Sequence, residues 1–414
     1  MKDLDQKLHC LARALREGLF AEEDRSVVVH DLDAMRARVE EIRSAFPPQT
    51  LHTVAVKANP LPGILTALAG LGAGAEAASS GELALAERAG FTPERIVYDS
   101  PAKTREEIAL ILARGIHLNA DSFEELERID RILAGATPRG PVGLRINPQI
   151  GAGRIEATSV AGAYSKFGVP LRERRAEILA AFKRYPWLRG VHVHIGSQGY
   201  PVERLAQGVA AVVALALEVD PPVEFVDIGG GLPVAYRPGD REVTAREYCR
   251  LLEHAAPVLR SPPFRLLTEF GRSVQAAAGW AVTRIEYVRH SSGGNTVVTH
   301  LGADMFLRAC YDPVHWHHEV TLTDPTGAPK EGPATPYHIA GPLCFGGDII
   351  RRDCPLAGPE PGDLLLIHDA GAYTLGMWSR YNSRPMPRVI GIRDGTLTVL
   401  KERERPEDLW ELWS

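Results

Sequence analysis

Several residues that can do chemistry follow apolar segments typical of strands. Lys57 ends the segment from Leu51, and His194 lies in the segment Val191–Gly196. A lysine at the end of a buried strand has a partly desolvated amine, which can lose its proton and form a Schiff base. A solvated lysine at a strand end is the simpler interpretation of Lys57 when it is considered alone.

Three consecutive glycines, Gly229, Gly230 and Gly231, follow another apolar segment. Because they lack Cβ atoms, their backbone amides can approach an anion closely and cradle a phosphate. A tight turn that needs positive φ is the simpler interpretation of a lone triplet. On the turn after a later apolar segment, Glu269 suits a ring nitrogen that must stay protonated and Arg272 suits a phosphate. Considered alone, such a pair is most often a structural salt bridge.

His192 and His194 alternate with apolar residues, so both are predicted to point to the same side of a strand. A His-x-His pair can bind zinc, but no third ligand of suitable spacing accompanies it. We therefore predict no metal. A histidine ring packed against a planar cofactor, or an inward histidine satisfied by hydrogen bonds, is the favoured interpretation.

Strand-like segments alternate with amphipathic helical segments over the first two-thirds of the chain. Eight such units predict a (β/α)8 barrel, with a doubly wound open sheet as the main competitor. In a barrel the carboxyl ends of the strands share one face, where active sites are built. The eight predicted strands are Leu51–Lys57, Ala73–Ala77, Arg95–Tyr98, Ile116–Asn119, Val142–Asn147, Val191–Gly196, Val223–Gly229 and Leu266–Glu269.

The pattern changes after about residue 284, where short strands are separated by turns rich in Pro and Gly. We predict a barrel over residues 26–284 and a mainly β domain over 285–414. The segment 1–25 precedes the first unit and packs with either of them. Within the barrel, Ser79 with Glu82 and Thr104 with Glu107 have the spacing of helix N-caps.

Composition excludes several classes of protein. The 414 residues carry a formal charge of −5, which gives no reason to expect a nucleic-acid partner. No apolar run approaches the roughly 18 residues of a membrane span, so we expect no membrane partner. Five scattered cysteines without CxxC spacing make a disulfide framework or a structural zinc site unexpected and predict a cytoplasmic location.

Taken together, seven motifs in order resemble the fold-type III pyridoxal phosphate decarboxylases, the group of the diaminopimelate, ornithine and arginine decarboxylases. The similarity runs from about Ser26 to Arg393 and is strongest to the diaminopimelate decarboxylase branch. The motifs are Val54-Ala-Val-Lys-Ala-Asn59, Ser79-Ser-Gly-Glu-Leu83, Ser165-Lys-Phe-Gly168, His192-Val-His-Ile-Gly-Ser-Gln198, Asp227-Ile-Gly-Gly-Gly231, Glu269-Phe-Gly-Arg272, and Gly341-Pro-Leu-Cys344 with Gly371-Ala-Tyr373.

The resemblance implies pyridoxal 5'-phosphate as cofactor, held by Lys57 as an internal aldimine. It implies that His194 stacks on the pyridine ring, that Glu269 bonds the ring nitrogen, and that Glu76 lies near the Schiff base. The remaining cofactor-binding residues that it implies, mostly around the phosphate, are Ser197, Gly229, Gly230, Gly231, Gly271, Arg272 and Tyr373.

For the substrate, the resemblance implies that Arg308 holds a carboxylate and that Cys344 acts during protonation from a neighbouring subunit. Lys57, His194 and Cys344 would then be the catalytic residues of a homodimer with shared active sites. Decarboxylation would proceed through an external aldimine and a quinonoid. The implied substrate-binding residues are Arg308, Tyr311, Phe345, Asp348 and Tyr373.

Phe345 departs from the family pattern. Diaminopimelate decarboxylases usually carry an acidic residue immediately after the cysteine, and this residue binds the distal amino group. An aromatic side chain leaves that charge unpaired, which costs several kcal/mol in a closed site. We therefore predict an amino-acid-like substrate, free or carrier-bound, other than diaminopimelate.

Three other functions remain open on the sequence. An amino-acid racemase of the same fold is the strongest enzymatic alternative, although such racemases tend to place an arginine, not a glutamate, by the ring nitrogen. A non-catalytic carrier of the cofactor would leave the β domain with Cys344 superfluous. A metal-dependent barrel hydrolase would use His192 and His194.

Overall fold

The structure, a computed structural model, describes residues 4–414. Within that range the strands are β1 Ser26–Asp31, β2 Leu51–Ala55, β3 Gly74–Ala77, β4 Ile96–Tyr98, β5 His117–Ala120, β6 Val142–Asn147, β7 Val169–Pro170, β8 Leu188–His192, β9 Phe225–Asp227, β10 Arg265–Glu269, β11 Gly279–Ser291, β12 Gly294–Thr299, β13 Val320–Thr323, β14 Thr335–Ala340, β15 Ile349–Leu356, β16 Leu364–Ile367, β17 Arg388–Arg393 and β18 Thr396–Lys401. The α-helices are α1 Leu4–Arg16, α2 Leu32–Ala45, α3 Pro62–Gly70, α4 Ser80–Arg88, α5 Arg105–Arg114, α6 Phe123–Leu133, α7 Leu171–Arg184, α8 Val202–Glu218, α9 Ala245–Ala255, α10 Arg272–Gln275, α11 Leu307–Tyr311 and α12 Asp408–Trp413.

Residues 36–234 and 241–274 form one compact unit around a closed parallel barrel. Eight strands pair in the order β2, β3, β4, β5, β6, β8, β9 and β10, and β10 pairs in parallel with β2. This last pairing closes the ring, so the predicted (β/α)8 barrel is confirmed and the open-sheet alternative is wrong. The two-residue strand β7 adds to β6 outside the ring.

Local sequence signals place the barrel helices. The Ser79 side chain accepts a hydrogen bond from the backbone N–H of Glu82, as predicted for the start of α4. Thr104 and Glu107 form a complete capping box at the start of α5. These caps satisfy amide groups that the first helical turn would otherwise leave without partners.

A second compact unit contains residues 4–35, 235–240 and 275–414 of the described chain. Its mixed sheet has the order β15-β14-β12-β11-β1-β17-β18, with β16 pairing both β11 and β13. Strand β1 lies in this sheet, antiparallel to β11 and parallel to β17. The domain boundary predicted from the sequence instead assigns residues 26–31 to the barrel.

The N-terminal helix α1 contributes to the core of this second unit. Its residues Cys10, Leu11 and Ala14 are buried in one cluster with Trp280 and with apolar residues of β1, β16 and β17. The segment before Ser26 therefore packs with the β unit, one of the two arrangements that the sequence allows. Among residues 4–414, no helix combines the length and apolar character needed to cross a membrane.

Candidate active site

Lys57 leaves the barrel wall just beyond β2, in a 3-10 turn over Val56–Ala58. Its Nζ donates a hydrogen bond to Oε2 of Glu76 in β3, and the Lys57 side chain remains 43% exposed while that of Glu76 is 1% exposed. Burial raises the pKa of Glu76, and the charge of Lys57 opposes that rise. The pair therefore fixes an accessible amine at the carboxyl end of the barrel, where a covalent cofactor can reach it.

His194 lies two residues beyond the end of β8. Its Nδ1 accepts a hydrogen bond from the backbone N–H of Gly230 at 3.2 Å. Burial, together with the charges of Arg145 and Lys57, lowers the pKa of His194 well below its ordinary value. The imidazole is therefore neutral near pH 7, with its proton on Nε2, and its flat, uncharged ring suits stacking on a planar cofactor.

The glycine triplet forms a turn that excludes side chains. A Cβ atom on Gly229 would lie 2.4 Å from the carbonyl oxygen of Val193, and Gly229 has a φ of +66°. On Gly230 it would lie 2.3 Å from the carbonyl oxygen of Glu269, and on Gly231 2.3 Å from that of Gly196. Only glycine fits at these three positions. The N–H of Gly229 donates to Asp227 Oδ1 at 2.9 Å and that of Gly230 donates to His194 Nδ1, so the amide of Gly231 is the one that remains to face an anion.

Arg272 and Ser197 lie beside this turn. The Nε and Nη2 atoms of Arg272 both donate to Oγ of Ser197 at 3.3 Å, and Arg272 is 4% exposed. Ser197 directly follows Gly196, whose carbonyl lies against Gly231, and the buried Gly271 precedes Arg272. A fixed guanidinium, a hydroxyl and the amide of Gly231 are donors of the kind that a phosphate requires.

Glu269 ends β10 and is 5% exposed. Its Oε2 lies 3.6 Å from Nε2 of His192 and 4.0 Å from Nδ1 of His194. Its Oε1 is buried and has no hydrogen-bond partner in the described chain. Such an orphan is rare because leaving a buried polar atom unpaired costs about 1–3 kcal/mol. A ring nitrogen carrying a proton would satisfy it, so the residues present fit a pyridine cofactor.

Asp99 is a member of this cluster that the sequence reasoning missed. It follows β4, and its Oδ2 lies 3.3 Å from Nε2 of the fully buried His192. Donor atoms of Asp99, His192 and Glu269 all lie within 4.8 Å of one another, so the spacing argument that found no third partner for His192 was incomplete. The signal was its position: like Lys57, Asp99 comes directly after a barrel strand.

In the second unit, Arg308 and Tyr373 come together. The Arg308 guanidinium carbon lies 4.6 Å from the ring centroids of both Tyr373 and Trp316, so two aromatic faces hold it. Tyr373 itself has a φ of +57°, an uncommon value for a residue with a side chain. A guanidinium fixed in this way is suited to binding a carboxylate.

Cys344 and Phe345 lie in the same unit, in the loop between β14 and β15. Cys344 is an exposed free thiol, and its backbone N–H donates to Oδ1 of Asn382 at 2.8 Å. The ring of Phe345 lies 5.5 Å from that of Tyr311 and 6.4 Å from that of Tyr381. Tyr311 is 69% exposed, so this aromatic group is accessible within its own unit.

Asp348 is 3% exposed, and the structure uses both of its carboxylate oxygens. Oδ1 accepts from the backbone N–H of Ala303 and Oδ2 from that of Leu343, each at 2.6 Å. These bonds fix the loop that carries Cys344 and Phe345. The geometry therefore favours a role for Asp348 in holding this loop rather than in touching a substrate.

Comparison with known proteins agrees with this chemistry. Residues 32–276 match the family model described as pyridoxal-dependent decarboxylase, pyridoxal binding domain. The diaminopimelate decarboxylase of Helicobacter pylori is 32% identical over 406 residues, covering 96% of this chain and 97% of that protein. That of Aquifex aeolicus is 30% identical over 91% of this chain and 88% of its own length.

Solved structures show the same fold. The H. pylori diaminopimelate decarboxylase complexed with L-lysine superposes with a TM-score of 0.85 at 31% identity, covering 96% of this chain and 99% of that one. A lysine/ornithine decarboxylase from Vibrio vulnificus, complexed with putrescine, has a TM-score of 0.78 at 20% identity over 94% of this chain and 98% of that one, which shows the fold alone. The chain therefore belongs to the pyridoxal-dependent decarboxylase family and is a pyridoxal phosphate-dependent carboxy-lyase acting on amino acids.

Proposed function

We propose that the barrel residues described above hold pyridoxal phosphate and that the enzyme decarboxylates an amino acid lacking a distal ammonium group. The observation that carries the first part is the buried, unpartnered Oε1 of Glu269 in the same unit as the Lys57 amine. Lys57 would hold the cofactor covalently, with Glu269 on the ring nitrogen and His194 on the ring face. The glycine turn, Ser197 and Arg272 would hold the phosphate.

When bound, pyridoxal phosphate supplies an electron sink for the bond that breaks in the substrate. Glu269 favours this role because its carboxyl group keeps a proton at the ring nitrogen. Glu76 orients the free amine of Lys57. Once carbon dioxide has left, the substrate carbon needs a proton, and Cys344 Sγ or Lys57 Nζ would deliver it.

In the second unit, Arg308 would bind the substrate carboxylate. The family resemblance supports this role, and the two aromatic faces around the guanidinium support it independently. Tyr373 would assist through the same contact. Asp348 would contribute indirectly, by fixing the loop of Cys344 and Phe345.

Phe345 supports the proposal about the substrate. It stands where diaminopimelate decarboxylases usually have an acidic residue, and it packs with Tyr311 and Tyr381 rather than beside a carboxylate. These rings would favour an apolar or uncharged distal group, because burying an unpaired ammonium is unfavourable. Diaminopimelate is the second candidate, favoured by relatives that share 32% of residues over 96% of the chain. The aromatic rings could also hold its ammonium through cation–π contact.

Carbon dioxide release from a substrate panel tests this proposal. The panel contains diaminopimelate, lysine, ornithine, arginine, glutamate and amino acids with apolar distal groups. We expect the highest kcat/KM for a member of the last class. Fast turnover of diaminopimelate by the wild-type enzyme would contradict the proposal.

A pair of variants separates charge from shape at position 345. Phe345→Glu should raise kcat/KM for diaminopimelate by about tenfold or more, because a carboxylate can then pair with the distal ammonium. Phe345→Leu is the matched control, since it removes the ring without adding a charge, and should not gain activity on diaminopimelate. Equal gains in both variants would assign the effect to space alone.

We further propose a homodimer with shared sites, on the strength of the family resemblance. Mixing Lys57→Ala and Cys344→Ala proteins, each weakly active, tests this. Under conditions that exchange subunits, a shared site should restore a fraction of wild-type activity in the mixture. No recovery in a mixture shown to contain heterodimers would contradict shared sites.

A further inference from the structure

Around Glu269, the interior of the barrel contains more carboxyl groups than cationic side chains that could pair with them. Glu76, Asp99, Asp227 and Glu269 are all buried or nearly so within the barrel unit, and His192 lies among them. Both ring nitrogens of His192 lack a well-aligned hydrogen bond within the described residues, as do Asp227 Oδ2 and Glu269 Oε1. The charge of this cluster therefore depends on which of these side chains carry protons.

One atom, Nε2 of His192, faces two carboxyl groups. It lies 3.3 Å from Asp99 Oδ2 and 3.6 Å from Glu269 Oε2. Two buried carboxylates this close cannot both ionise readily, so one of them keeps its proton. Asp99 has the better support for its charge, because Asn119 Nδ2 donates to its Oδ1 at 2.9 Å.

The surroundings shift the pKa values of Asp99 and Glu269 in opposite directions. Burial opposes ionisation of Asp99, but the charge of His192, the hydrogen bond with Glu269, the charge of Arg145 and the bond from Asn119 lower its pKa overall. Burial, the charges of Asp99 and Glu76 and the hydrogen bond with Asp99 raise the pKa of Glu269 well above its ordinary value, and Lys57 only partly opposes them. Asp227 faces the same cluster, and burial and the charge of Glu269 raise its pKa as well.

We propose that Asp99 and His192 are positioning residues for Glu269, and that Asp99 keeps a proton on Glu269 while the cofactor is absent. His192 lies on the Oε2 side of the carboxyl group, so Oε1 is left to face a ring nitrogen. This inference rests on the proposed role of Glu269. The apoprotein would then bring to the site the proton that the ring nitrogen needs.

The proton balance of this step is complete without solvent. Glu269 would give up the proton of its O–H bond, the ring nitrogen would accept it, and the resulting carboxylate would pair with a cationic ring. Asp99 stays ionised throughout and His192 remains between the two carboxylates. A cofactor could therefore bind with little net proton uptake at this position.

Infrared difference spectroscopy of the full-length, cofactor-free protein tests the first half of the proposal. Wild type at neutral pH should show a carbonyl band of protonated Glu269 beside any band of Asp227, and the spectrum of wild type minus that of Glu269→Gln should isolate it. Glu127→Gln is the control, because Glu127 is exposed on α6 and its change should leave the band in place. Absence of a Glu269 band from that difference would overturn the proposal.

Two variants should move the titration midpoint of that band in opposite directions. Asp99→Asn removes the neighbouring negative charge and should lower the midpoint by about one pH unit or more. His192→Gln removes the group between the two acids and should raise the midpoint by a similar amount. A residue that serves only packing would move neither, so unchanged midpoints in either folded variant would refute the positioning role. Asp99→Glu keeps the charge and should retain the wild-type midpoint.

Calorimetry of pyridoxal phosphate binding in buffers of different ionisation enthalpy tests the proposed proton transfer from Glu269 to the ring nitrogen. At a pH between the two midpoints, Asp99→Asn should take up about one more proton per site than wild type, because its Glu269 is already ionised. Equal uptake would contradict the transfer. If the cofactor fails to bind at all, the proposed function fails while the infrared result on the apoprotein still stands. Stoichiometric metal in the purified protein would overturn the assignment of this cluster to a proton.

Discussion

The backbone N–H of Gly230 donates a hydrogen bond to Nδ1 of His194 at 3.2 Å. This bond joins the glycine turn to the histidine ring and fixes the tautomer with the proton on Nε2. The low pKa of His194, caused by burial and by the charges of Arg145 and Lys57, keeps the ring neutral. The two parts of the proposed cofactor site, ring face and phosphate cradle, are therefore set by one turn.

Gly230→Ala should damage this site. Its new Cβ atom would lie 2.3 Å from the carbonyl oxygen of Glu269, so the turn must move and the bond to His194 must stretch. Overpacking of this kind costs about 1–3 kcal/mol, which corresponds to roughly a tenfold or larger rise in the Kd for pyridoxal phosphate. Titration of the apoprotein with pyridoxal phosphate measures this Kd. Gly70→Ala, at a helical glycine with nothing within 4 Å of the added atom, should bind like wild type.

Arg272→Ala should weaken binding of pyridoxal phosphate but not that of pyridoxal. A hydrogen bond to a charged group contributes about 1.5–3 kcal/mol, so we expect a loss of roughly tenfold to a hundredfold for the phosphorylated compound. Comparing the two ligands on the same apoprotein isolates the phosphate contact. Arg189→Ala, which removes an exposed arginine paired with Glu224, is the control. An equal loss for both ligands would instead indicate a general disturbance of the site.

Much of the barrel could be predicted from the sequence, because each strand there is a short apolar run between helical segments. All eight predicted strands exist, and Val142–Asn147 has the predicted bounds, whereas the bounds of the other seven differ. The segment predicted as Val191–Gly196 is a strand over Leu188–His192, since glycines and turns beyond it change the backbone direction. Strand β1 was not among the predicted strands. Its continuous buried run does not reveal that its partners are β11 and β17, more than 240 residues away.

The site, like the fold, has features that could be predicted from the sequence and features that could not. The placement of Lys57, His194 and Glu269 at the carboxyl ends of barrel strands could be predicted, because position at a strand end is readable from sequence. The contact between Asp99 and His192 could not, since Asp99 follows β4 and His192 ends β8, and the two approach only when the barrel closes. The sequence likewise could not show that backbone amides donate to both carboxylate oxygens of Asp348, because the donors approach it only in the fold.

The buried His117 predicts a pH dependence of stability. Burial lowers its pKa from 6.5 to about 4. Between these values the unfolded chain binds a proton that the folded protein does not, so the free energy of unfolding falls as the pH drops, by up to about 1.4 kcal/mol per pH unit. Above pH 6.5 the effect vanishes.

His117→Gln should therefore flatten the acid limb of the stability curve, measured by urea unfolding between pH 7.5 and 4.5. Other buried groups contribute to the same curve, so the difference between variant and wild type is the quantity to follow. His254→Gln, at an exposed position on α9, should leave the slope unchanged. A variant slope equal to that of wild type would show that His117 titrates normally in the folded protein.

The central claim is that the amine of Lys57 holds the cofactor covalently, and peptide mapping after borohydride reduction tests it most directly. The reduced enzyme should yield a single pyridoxyl-modified peptide containing Lys57. Lys57→Ala should yield none and lose its visible absorbance, whereas Lys183→Ala, at an exposed lysine on α7, should match wild type. A modified peptide carrying a different lysine, or full activity in Lys57→Ala, would contradict the account.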